Sequence, residues 1–107
     1  MKTITINYTL FEAFKADYQA IALHGGFFHE TTDSALFAPP LPPGERLQVN
    51  LVAILPGGEV VKGTAEIAWS NPPGAAAGPS FPPPGVGLRV SPAYAIAAHQ
   101  SLPKGGE

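Results

Sequence analysis

The chain has 107 residues, a formal net charge of −2, 13% charged residues and 45% hydrophobic residues. That length suits one small domain, and the balance is too apolar for a disordered chain and too poor in charge for a coiled coil. With two arginines in the chain, Arg46 and Arg89, it also lacks the basic surface that sequence-blind nucleic-acid binding needs.

No apolar run approaches the eighteen or so residues of a membrane helix, so no membrane insertion is expected. The first ten residues, MKTITINYTL, show no apolar block or cleavage site of a secretory signal. Cysteine is absent, which excludes disulfides, thiolate metal sites and cysteine nucleophiles, and fits a cytoplasmic location.

In chain order, Lys2 to Tyr8 alternates Ile4, Ile6 and Tyr8 with Thr3, Thr5 and Asn7, the period of a half-buried strand. Thr9 to Asp17 reads as a short helix, with Thr9 as N-cap, Glu12 three residues later, and Leu10, Phe11, Ala13 and Phe14 on one side. Gln19 to Thr31 reads as a strand interrupted by Gly25 and Gly26, where glycine marks a bulge, a sharp bend or a close backbone approach, and a bend there would help close a barrel. Strand alternation lets only one of Phe27 and Phe28 point into the core. Pro39 to Gly44 is a proline-rich connection, read as a stiff loop in preference to a polyproline ligand.

Arg46 to Leu55 alternates again, with Leu47, Val49, Leu51, Ala53 and Leu55 on one face. The Pro56–Gly58 turn joins it to Val60 to Trp69, where Val61, Gly63, Ala65, Ile67 and Trp69 share a face. A Gly- and Pro-rich stretch from Asn71 leads to a last strand, Gly85 to Val90. Ser91 then caps a second helix to Gln100, with Pro92 at its first position and four alanines within it. Residues 1–91 thus read as a strand-rich domain, for which the resemblance described next implies a β-barrel, and 92–107 as a short helix and flexible tail.

Three motifs lie in order: GGFFHET at Gly25 to Thr31, the strand pair from Pro42 to Trp69 around an LP turn, and PPPGVGLRV at Pro82 to Val90. The ordered set resembles a PilZ domain over about Leu10 to Val90. The resemblance implies an all-β fold, a six-stranded antiparallel barrel with short flanking helices. Many PilZ domains bind cyclic di-GMP through an R-x-x-x-R motif near the N-terminus and a following [DN]-x-S-x-x-G motif. Arginine forks suit phosphates and guanine edges.

Both motifs are missing here. No arginine precedes Arg46, and Ile21 and Leu23 stand where the second motif has Asp or Asn and Ser. The losses are similar to those of the divergent PilZ-like branch of type IV pilus systems and gliding bacteria. That branch implies a non-enzymatic adaptor in bacterial signalling or surface motility. Its expected partners are proteins, a pilus-assembly ATPase or a degenerate signalling enzyme. The expected interaction residues are Tyr18, Phe28 and Trp69, since aromatics anchor interfaces. The alternative is a divergent cyclic di-GMP receptor using Lys15, His24 and Arg89. Self-association through the apolar segment Leu10 to Phe14 is a further expectation.

No catalytic residue, cofactor or metal site is expected. His24 and His29 lie five apart and have no cysteine partner, so they do not form a ligand set. Glu30 and Asp33 read as solvated carboxylates, and no nucleophile-elbow or phosphate-loop motif occurs.

Overall fold

In the computed structural model, residues 2–37, 44, 46–72 and 83–102 are described. The proline-rich segments at 38–43 and 73–82, and the tail at 103–107, lie outside them. Five strands form one sheet, β1 (Lys2–Asn7), β2 (Gly26–Glu30), β3 (Leu47–Ile54), β4 (Val60–Asn71) and β5 (Gly85–Val90), in the order β1-β3-β4-β5-β2. Helix α1 (Phe11–His24) joins β1 to β2, and α2 (Pro92–Gln100) follows β5.

The expected six-stranded antiparallel barrel is corrected: among the described residues the sheet has five strands, is mixed, and curves into a half-barrel. β1 runs parallel to β3, with Ile4 opposite Leu51, and the other pairings are antiparallel. Period-two alternation identifies a strand but carries no information on its partner's direction. No turn joins the two: α1 and β2 lie between β1 and β3 in the chain, so the pair is free of the antiparallel constraint that a hairpin imposes.

The strand expected at Gln19 to Thr31 is corrected in its first half. Those residues continue α1 as far as His24, and Ala20, Ala22 and Leu23 are good helix formers. Gly25 is the helix stop, at φ +82°, with its N–H donating to the Ile21 carbonyl. The glycine pair is therefore a helix end followed by a strand start, not a bulge, and Gly26 is the close backbone approach, since a Cβ there would run into the Leu88 carbonyl of β5. The N-cap position falls on Leu10, which makes no side-chain cap bond, and not on Thr9.

The β3–β4 hairpin forms as its pattern dictates. Leu47 pairs with Ile67 and Ile54 with Val60, and Gly58 N–H closes the turn on the Leu55 carbonyl at 2.9 Å. One face of the sheet carries Ile4, Val49, Leu51, Ala53, Val61, Ala65, Val86, Leu88 and Phe27, all buried. Both helices cover that face. α1 inserts Phe14 and Ile21, and α2 inserts Tyr94 and Ala98. Tyr94 is seated directly on Gly63, where an added Cβ would stand 2.5 Å from the Tyr94 Cβ. Ser91 caps α2 by accepting the Tyr94 N–H. Of the apolar segment proposed for self-association, Phe14 is buried in the core and Leu10 stays exposed.

Candidate functional site

The outer face of the sheet carries the site. β4 departs from its simple period between Ile67 and Trp69: Ile67 pairs with Leu88, yet Trp69 pairs with Gly87. The extra residue, Ala68, forms a bulge, and a bulge moves all later side chains to the other face. Trp69 therefore does not share the face of Val61, Ala65 and Ile67. It lies outside, 52% exposed. Phe28, directly across Gly87 on β2, points the same way.

The two rings stack, with centroids 5.4 Å apart and planes 18° from parallel. The glycines of β5 make room for them. A Cβ on Gly87 would stand 2.1 Å from Trp69 Nε1, and one on Gly85 would stand 2.3 Å from Phe28 Cζ. A strand normally avoids glycine because it adds no packing. Here its missing side chains let two aromatic rings lie flat against the backbone.

A groove of about 340 Å³ runs beside the stack, lined by Phe28, Ala68, Trp69, Arg89, Gly26 and His24 among others. The Arg89 guanidinium is 3.6 Å from Glu66, whose other oxygen accepts from Gln48 Nε2 at 3.2 Å. The groove thus brings together Phe28 and Trp69 with His24 and Arg89, residues the sequence assigned to two different functions. Tyr18 and Lys15 do not line it. Tyr18 lies between the helices, its hydroxyl 3.0 Å from His99 Nδ1, and Lys15 lies 4.0 Å from Glu12.

A second polar group sits on the helix side. The Tyr8 hydroxyl donates to Asp17 Oδ2 at 2.5 Å, tying the end of β1 to α1. Burial raises the Asp17 carboxyl above its ordinary range, against the lowering effect of the Tyr8 hydrogen bond. Burial raises the Tyr8 phenol and lowers His29, while the nearby Asp17 charge works to raise His29. Tyr94 is pushed up to about 12, mainly by burial. None of these groups lines the groove. They read as a partly buried tie holding α1 to the sheet.

Among the described residues, no three His, Asp or Glu side chains are grouped to hold a metal ion, and no helix is long and apolar enough to cross a membrane. Asp33 pairs with Lys2 at 3.0 Å, which lowers its carboxyl. Sequence reasoning missed the aromatic seat, although its signal was visible: glycines at Gly85 and Gly87, two apart in a strand, bare one face of it. No family model matches the chain, and no curated protein matches it.

Proposed function

We propose that this chain is a non-enzymatic, PilZ-like adaptor that docks a protein partner on the Phe28–Trp69 face. The observation that carries the reading is the half-exposed indole, turned outward by the Ala68 bulge, seated on Gly87 and stacked on Phe28. A buried aromatic has a packing role. A flat aromatic pair beside an open groove is the usual anchor of an interface. The family part of the proposal rests on the ordered sequence motifs, and with it the setting in bacterial signalling or type IV pilus motility. A pilus-assembly ATPase or a degenerate signalling enzyme is the partner that setting suggests. The test is Trp69→Ala. It is expected to stay folded by circular dichroism and to lose the partner contact. A folded variant that keeps every contact contradicts the proposal.

A second reading has one observation in its favour: His24 and Arg89 share the groove with Trp69. A guanidinium fork beside an aromatic face is chemistry that suits a phosphate and a guanine base, which supports a divergent cyclic di-GMP receptor. Lys15, the third residue of that reading, does not line the groove. Calorimetric titration with cyclic di-GMP separates the two: the adaptor gives no heat, and a receptor binds at micromolar concentration or below.

A further inference from the structure

The groove beside Trp69 holds more polar chemistry than an apolar anchor needs. Its lining includes Arg89 and His24 and no carboxylate, in a chain whose net charge is −2. Trp69 is half-exposed and its indole N–H is a donor only. Arg89 is 67% exposed and meets Glu66 only at 3.6 Å, so its five-donor fork keeps donors to spare. Gly26, opposite Arg89 in the β2–β5 register, adds no side chain between the guanidinium and the groove. The polar side chains that line the groove, Trp69, Arg89 and His24, offer donors, with one histidine nitrogen besides, and the floor is aromatic.

We propose that the groove recognises an acidic, extended peptide segment of the partner, with an apolar side chain against Trp69 and a carboxylate on Arg89. The proposal rests on the docking reading above and adds the partner's chemistry to it. One arginine beside one histidine is too little positive charge to hold a nucleic-acid backbone or an anionic membrane. The two are enough to select one carboxylate beside an apolar anchor. The volume is at the low end for binding clefts and suits one or two side chains. Glu66 competes with the incoming carboxylate for Arg89, so it sets how firmly the segment is held.

Trp69 is the one tryptophan in the chain, so its emission reports on the groove directly. The probes are short peptides alternating Glu with Leu, Ser with Leu, and Lys with Leu, none of which contains tryptophan. The Glu–Leu peptide is expected to shift the emission saturably, more tightly than Ser–Leu, with Lys–Leu weakest. Arg89→Gln is expected to weaken the Glu–Leu peptide about fivefold, as loss of an exposed ion pair does. Glu66→Gln is expected to strengthen it, and raised salt to weaken it. Equal binding of the three peptides, or an unchanged affinity in Arg89→Gln, overturns the acidic preference and leaves the docking face standing. No saturable shift with Glu–Leu at millimolar concentration overturns the proposal as well. Retention of the partner by folded Trp69→Ala is the separate result that removes the docking face itself.

Discussion

Substituting alanine at Gly87 and at Gly63 separates the aromatic seat from the core. At Gly87 the new Cβ would stand 2.1 Å from Trp69 Nε1 and 2.3 Å from Cε2. Ordinary contact needs about 3.6 Å, so the indole must lift by roughly 1.5 Å. It is half-exposed and free to do so. The loss is the stack on Phe28, about 0.5–1.5 kcal/mol, offset by roughly 0.5–1 kcal/mol from removing a strand glycine. The net change is within about 1 kcal/mol. At Gly63 the Cβ would meet Tyr94 Cβ at 2.5 Å, its Cα at 2.9 Å and its N at 3.1 Å. Two of these are backbone atoms of α2, and Tyr94 is 1% exposed. The helix itself must move, an overpacking cost of about 1–3 kcal/mol. Urea unfolding followed by circular dichroism therefore ranks Gly63→Ala as the less stable. Native-state tryptophan emission ranks them the other way: it changes in Gly87→Ala and stays put in Gly63→Ala. An unchanged emission in Gly87→Ala refutes the seat, and a Gly63→Ala protein as stable as the parent refutes the close approach of α2.

Three smaller perturbations follow from the same structure. Ser91→Ala removes the acceptor of the Tyr94 N–H at 3.2 Å and is expected to cost about 1 kcal/mol in urea unfolding. Gly25→Ala forces a Cβ into a backbone at φ +82° with open space around it, so it should cost about 1–2 kcal/mol from conformation alone. Burial holds His29 below its ordinary 6.5, so the unfolded chain takes up a proton that the fold resists as pH falls below 6.5. Stability is therefore expected to drop across that window, and His29→Asn to flatten the drop. Asp17 acts oppositely at lower pH. Its raised pKa lets the fold bind a proton before the unfolded chain does, and this contributes stability as pH falls through the folded pKa toward 3.8. Urea midpoints across pH, for the parent and for His29→Asn and Asp17→Asn, check both signs.

Much of the hairpin was legible in the sequence, because Leu47 to Leu55 and Val61 to Ala65 alternate without interruption and the turn between them has its own chemistry. The cap of α2 was legible for the same local reason, Ser91 followed by Pro92. The end of α1 was not. Gly25–Gly26 fits a bulge within a strand as well as a helix stop before one, and only the φ of Gly25 decides. The parallel β1–β3 pair was illegible because direction is a tertiary property. The face of Trp69 was illegible for a third reason: one extra residue at Ala68 inverts the face of everything after it, and no side-chain pattern announces a bulge between apolar residues. The groove then unites residues from α1, β2, β4 and β5, which no spacing along the chain could have joined.

The most direct test of the docking face is a photoreactive aromatic residue placed at position 69 in living cells, with a second placed at Thr5 on the outer face of β1 as a control. The account predicts a discrete protein adduct from position 69 that is absent from position 5 and is lost when Gly87→Ala is added. An adduct of equal yield from both positions, or one from position 69 that survives Gly87→Ala, would contradict it.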